Sequence, residues 1–179
     1  MSSSLPAEPL EIQAEHFLRH VRDEENDAAM RWLERVPEIA GVNVFTAAAA
    51  GDDTTVLRLL AADPSLARAT HSQRAFSALL YASGSPIAAD APALTRIARA
   101  LLAAGADANT TYPGMGEGPP QSALYRACVR GHAGVARALL EHGANTQDGE
   151  SIYHAAEHHQ LACLEALRDH GADFGSRQA

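Results

Sequence analysis

The sequence predicts an all-α fold built as a stack of helix-turn-helix repeats, and three observations carry that prediction. Apolar residues make up 46% of the 179-residue chain but aromatic residues only 5%, so the apolar content is mainly Ala and Leu, the strongest helix formers. No stretch sustains the apolar/polar alternation of a half-buried strand, so β structure is expected only in turns. The chain also repeats itself: SALYRACVRGHAGVARALLEHGAN (122–145) aligns on its final Gly-Ala with SIYHAAEHHQLACLEALRDHGAD (151–173). Self-similarity of this kind marks a solenoid, in which no unit buries its own apolar face and the stack folds only as a stack.

The elements follow in order. Residues 1–9 read as a disordered tail. Residues 10–40 read as a degenerate first unit and amino-terminal cap, because NDAAMRWLERVPEIA (26–40) has the apolar spacing of a second helix. Val36-Pro37 lies there where Asp63-Pro64 lies one unit later, and Trp32 and Leu33 are expected to face the stack. The next unit, 41–70, carries VFTAAAAGDDTTVLRLLAADPSLA. A third, 71–109, carries SALLYAS (77–83) and LTRIARALLAAGADAN (94–109) once the residues near SPIAADAP are set aside. An elongated finger loop over 110–120 precedes the last two units, 121–146 and 149–175. Paired small residues, Ala47-Ala48, Ala127-Cys128 and Ala155-Ala156, let first helices approach closely, and Leu59-Leu60, Leu101-Leu102 and Leu139-Leu140 fill the seams between second helices. Gly105, Gly143 and Gly171 close those second helices as left-handed caps.

The run Ser122-Ala123-Leu124-Tyr125-Arg126-Ala127-Cys128, then Gly131-His132, then Leu139-Leu140-x-x-Gly143-Ala144 resembles the ankyrin repeat, with its T-P-L-H-x-A-A, G-H and V-x-x-L-L-x-x-G-A signature. No unit keeps Thr-Pro, and Phe45, Tyr125 and Tyr153 stand where the signature has His. The resemblance spans roughly residues 10 to 175. It implies that residues 1–179 form a single all-α domain, an ankyrin-type α-solenoid of about five helix-turn-helix repeats with short turn and finger loops. It further implies a non-catalytic module that binds a partner protein or peptide on the concave face of the first helices and on the finger loops. Carried over position by position, that surface comprises Phe76, Tyr81, Tyr112, Met115, Gln121, Arg126, Val129, Arg130, His154, Glu157 and His158, with Thr46, Ala49 and Ala50 in the first clear unit. Arg126, Arg130 and the histidines make the strip less acidic than the whole chain, which suits a carboxylate-bearing partner segment. A special case is an inhibitor or immunity-type regulator that masks one enzyme or toxin.

Charge narrows the classes further. Fourteen Lys and Arg against 22 Asp and Glu give a net charge of −8, the wrong sign for a phosphate backbone, so no nucleic acid is expected. The acidic run Asp23-Glu24-Glu25 reads as a solubility feature. Cys128 and Cys163 sit in apolar helical patterns with neither C-x-x-C spacing nor a disulfide framework, which fits small packing residues in a reducing compartment. No basic leader and no long apolar run stand in the sequence. A cytoplasmic protein of bacterial, Ala-rich style is expected, with no membrane contact and monomeric on its own.

One string invites a catalytic reading. His154-x-x-Glu157-His158 matches the H-x-x-E-H zinc-hydrolase motif, and residues i and i+4 share a helix face. A catalytic zinc needs a third protein ligand, and Glu165, the one glutamate downstream, falls on the second helix of the same unit. The expectation is therefore no cofactor, no metal and no enzyme, with metal binding or hydrolysis by the 154–158 string as the alternative. Loop GMGEGPP (114–120) lacks the Lys-Ser/Thr of a phosphate loop. His142 and His170, each just before a terminal glycine, are placed to bond the last helix carbonyls. His159 takes the place of the Gly at 131, which predicts a strained left-handed residue.

Overall fold

The computed structural model describes residues 8–71, 75–89, 91–113 and 120–175. The tail expected over 1–9 lies outside them apart from Glu8 and Pro9, as do Met115 and most of the 110–120 finger. Among the described residues ten α-helices follow in order: α1 Leu10–Arg22, α2 Asn26–Arg35, α3 Val44–Ala50, α4 Asp53–Ala62, α5 Ala78–Ser83, α6 Pro92–Ala103, α7 Ala123–Arg130, α8 Ala133–Glu141, α9 Ser151–Glu157 and α10 Leu161–Asp169. Two 3-10 turns open on prolines, Pro37–Gly41 and Pro64–Arg68. Two fingers form short antiparallel hairpins: β1 Thr70–His71 with β2 Phe76–Ser77, and β3 Thr111–Tyr112 with β4 Gln121–Ser122. The fold is an all-α solenoid of stacked helix pairs, and among the described residues its β structure is confined to these fingers.

Local chemistry sets the helix ends. Asn43 and Thr46 form a reciprocal capping box at the start of α3, while Ser77 and Ser122 accept from the backbone N–H of Leu80 and Tyr125 at the starts of α5 and α7. The turn from first to second helix needs a left-handed residue, supplied by Gly51 (φ 75°) and Gly131 (φ 72°). Glu24 (φ 62°) and His159 (φ 56°) hold the same conformation without being glycine. His142 and His170 each place Nδ1 2.8 Å from a carbonyl four residues earlier, Ala138 and Ala166.

The stack is built from two rows. First helices pack α3 on α5, α5 on α7 and α7 on α9; second helices pack α4 on α6, α6 on α8 and α8 on α10. Ala47, Ala48, Ala127, Cys128 and Ala155 are fully buried in the first row, and Leu101 and Leu139 in the second. Ala156 is exposed, as are Leu161 and Phe174. The SPIAADAP insertion is tied down at Ser85. Its hydroxyl donates to the Ala49 carbonyl at 2.6 Å, and its own carbonyl accepts from Arg130 Nε and His132 Nε2, both at 3.1 Å.

The amino-terminal helix pair departs from the row order. The reading of 10–40 as a stacked cap places α1 on α3 and α2 on α4. Instead α2 packs on α1 and the Pro37–Gly41 turn and makes no seam with α4 comparable to the others. Helix α1 lies against α3 and α5, and its carboxyl end reaches α7, where Arg126 bonds the carbonyls of Val21 and Arg22. A helix stacked at the end of the row would sit two helices short of α7. The pair keeps a repeat's local signature, with Glu24 in the place of Gly51 and Pro37 in the place of Pro64, yet α1 crosses the groove. Ala14, Phe17, Leu18 and Val21 are buried there, and Trp32 and Leu33 pack only at its margin.

Candidate protein-docking surface

The concave face is the surface at issue, and α1 divides it. Under α1 lies an aromatic layer in which Phe76 meets Tyr81 and Tyr112 with ring centroids 4.7 and 4.9 Å apart. The Arg126 guanidinium sits over the rings of Phe76 and Tyr112, 5.1 and 5.2 Å from their centroids. Arg126 is 2% exposed. Its NH1 donates to Tyr112 Oη at 3.1 Å, Glu24 Oε1 at 3.2 Å and the Arg22 carbonyl at 3.3 Å, and its NH2 donates to the Val21 carbonyl at 2.7 Å. Among the described residues its Nε has no hydrogen-bond partner. A Cβ at Gly84 would lie 2.1 Å from that guanidinium, so only glycine leaves the space. Burial pushes the Tyr112 phenol up to about 12, against the opposing pull of Arg126, and raises that of Tyr81 as well.

This corrects the sequence reading of the site. Phe76, Tyr81, Tyr112 and Arg126 were expected to face a partner, as were Thr46 and Ala49; all are buried. The reason is that α1 and the finger hairpins cover them, with Thr46 spent on the capping box. Gln121, expected at the surface, is half-buried and accepts from the Tyr112 hydroxyl. Arg130 is half-buried, and besides the Ser85 carbonyl its guanidinium reaches that of Pro86 at 3.3 Å; desolvation, with Arg126 close by, lowers its pKa. Val129 is half-buried beside it. The acidic run assigned to solubility supplies Glu24, the carboxylate of Arg126.

The face opens at α9. Tyr153 is 62% exposed, Glu157 and His158 are exposed, and His154 is half-buried. The His154 ring meets Tyr125 and Tyr153 edge-on at 5.0 and 4.9 Å and stacks on His158 at 6.2 Å. Glu150 Oε2 lies 3.1 Å from His154 Nε2, and Glu157 Oε2 lies 2.9 Å from its Nδ1. One ligand atom each from His154, Glu157 and His158 falls within 4.8 Å of the others. Glu165 on α10 is not part of that cluster. Tyr153, which sequence reasoning took only as a replacement for the signature His and left out of the surface, is the most exposed aromatic side chain of the described residues. The two cysteines are buried, and a hydrogen bond to Cys163 together with burial raises the Cys128 thiol, which keeps it protonated and inert.

A family model described as ankyrin repeats (3 copies) matches residues 86–178, more than half of the sequence, and the chain belongs to the ankyrin-repeat family. Among solved structures, the human ASB11 ankyrin repeat domain superposes with a TM-score of 0.59 at 24% identity, over 73% of this chain. The likeness shows the shared fold, and this chain spans 54% of that one's length. No curated protein matches the sequence. Ankyrin repeats are general protein-interaction modules, which supports a protein-binding role. Among the described residues no helix is long and apolar enough to cross a membrane.

Proposed function

We propose that the protein is a non-catalytic interaction module that docks one protein or peptide at the open end of its concave face, on Tyr153, His154, Glu157 and His158. The observation that carries this reading is Tyr153, a large aromatic ring left mostly exposed on a first helix. A rigid aromatic flanked by polar side chains is the composition of an interface hot spot. The helix beneath is fixed by its seam with α7, so docking there costs little ordering.

The test places a photocrosslinking amino acid at Tyr153 and, separately, at Leu57, which is exposed on α4 away from this face. A partner captured from position 153 and not from 57 supports the reading, and Tyr153→Ala should then weaken the purified complex by about tenfold or more. Equal capture from both positions, or an unchanged affinity, would sink it.

A second reading rests on the 4.8 Å clustering of His154, Glu157 and His158. These side chains suit a borderline divalent cation such as Zn2+ or Ni2+, with Glu150 orienting His154 through Nε2. Calorimetric titration with zinc, compared with His154→Ala, distinguishes metal binding from docking.

A further inference from the structure

Helix α1 has the chemistry of a ligand in a groove. Its buried side chains, Ala14, Phe17, Leu18 and Val21, fall at i, i+3, i+4 and i+7 on one stripe, while Glu11, Glu15 and Arg19 face water. Its carboxyl end is received by a cation: the Arg126 guanidinium bonds the carbonyls of Val21 and Arg22, where the helix dipole is negative, and pairs with the Glu24 carboxylate just beyond. Side contacts complete the seat, with His71 Nε2 2.9 Å from Glu15 Oε1 and Tyr112 Oη 3.2 Å from Glu24 Oε1.

The receiving groove is built around this need. Every hydrogen-bond acceptor of Arg126 except Tyr112 Oη comes from the α1 end. Without that end, a buried cation between two aromatic rings keeps a single phenol, so the groove demands carbonyl or carboxylate oxygens from whatever fills it. The occupant also belongs to a unit held differently from the rest: the others stack through both of their helices, whereas the first is held through α1 with no second-helix seam comparable to theirs, and its turn rests on the left-handed Glu24.

We infer that the groove over α3, α5 and α7 is a binding site for an amphipathic helix that ends in carboxylates, and that α1 is its resident occupant. A partner helix with the same apolar spacing and an acidic end displaces α1 and takes its place, a helix-in-groove mode of recognition. Tethering gives α1 a high effective concentration, so the groove is closed to weak competitors and opens to a matched one. The inference rests on α1 and its seat alone and is independent of docking at α9.

The test uses the full chain with Phe17→Asp and Leu18→Asp, which loosens α1 and leaves the groove intact. The probe is a fluorescein-labelled peptide of residues 8–26, followed by anisotropy. The variant should bind the peptide at least about tenfold more tightly than the wild type, where tethered α1 competes. A peptide carrying Glu24→Lys should bind markedly more weakly. No peptide binding by a variant that keeps its helical circular dichroism, or equal binding by wild type and variant, would overturn the proposal. Equal affinity of the two peptides would overturn its carboxylate requirement. If the variant loses its helical signal, hydrogen exchange of the wild type decides: α1 amides exchanging faster than those of α7 support an exchangeable helix, and equal rates overturn it.

Discussion

The two ends of the concave face are put to opposite uses. On α7, Arg126 is sealed beneath α1; on α9, its counterpart in the repeat, His154, is half-buried and the neighbouring Tyr153 stands in water. The difference lies in no residue of the face itself. It is made by a helix more than a hundred positions away in sequence from Arg126, whose end carbonyls accept from that guanidinium. A first-helix position in a solenoid is therefore a recognition site only where nothing else in the chain has recognised it first.

That comparison can be broken most directly by truncation. Phe17→Ala, which empties a fully buried place between α1 and the stack, should cost about 4 kcal/mol in urea denaturation, whereas Tyr153→Ala should change stability by no more than about 0.5 kcal/mol. Similar costs for the two would erase the distinction between a filled and an open end. Arg126→Leu comes next, with an expected loss of about 2 kcal/mol, since it takes the guanidinium away from the carbonyls of Val21 and Arg22 and from the Glu24 carboxylate. A neutral result would mean that the guanidinium does not hold α1.

Alkaline pH sharpens the contrast further. The phenols of Tyr81 and Tyr112 have folded pKa values raised above the unfolded value near 10. The neutral form is therefore favoured by folding: the stability it contributes is complete below pH 10 and is lost as pH rises toward and past about 12. Melting temperature should fall across that window, and Tyr112→Phe should fall less steeply than the wild type; parallel slopes would contradict the burial of Tyr112. The smallest effects concern the two left-handed residues. His159→Gly at the open end should stabilise by about 1 kcal/mol, while Glu24→Gly should show no gain because relief of strain is offset by the lost Arg126 pair. A stabilised Glu24→Gly would show that the ion pair contributes little.

Much of the fold was legible because repeats are written locally. Gly51 and Gly131 in left-handed turns, the alanine pairs of the first helices and the leucines of the second recur at a fixed frame, and that frame was enough to mark an all-α stack of helix pairs. The course of α1 was not legible. Phe17, Leu18 and Val21 have the spacing that stacks on a neighbouring helix, and the same stripe fits a groove equally well; periodicity records that a face is buried, not against what. Arg126 misled for a related reason. Arginine at a variable concave position reads as exposed, and only the convergence of Val21, Arg22, Glu24, Phe76 and Tyr112 in space shows it to be enclosed. At α9, where none of the described segments crosses the face, Glu157 and His158 are exposed and His154 is half-buried.

Ser85 has a mechanical consequence. A solenoid responds to tension as a spring, yielding by slippage between successive coils. Ser85 fastens three of those coils at one residue, through Ala49 of one unit, its own insertion, and Arg130 with His132 of the next. A load pulling on the two ends has to break bonds at both of the seams that meet at Ser85, so those two seams should yield after the one between α7–α8 and α9–α10, which Ser85 does not touch.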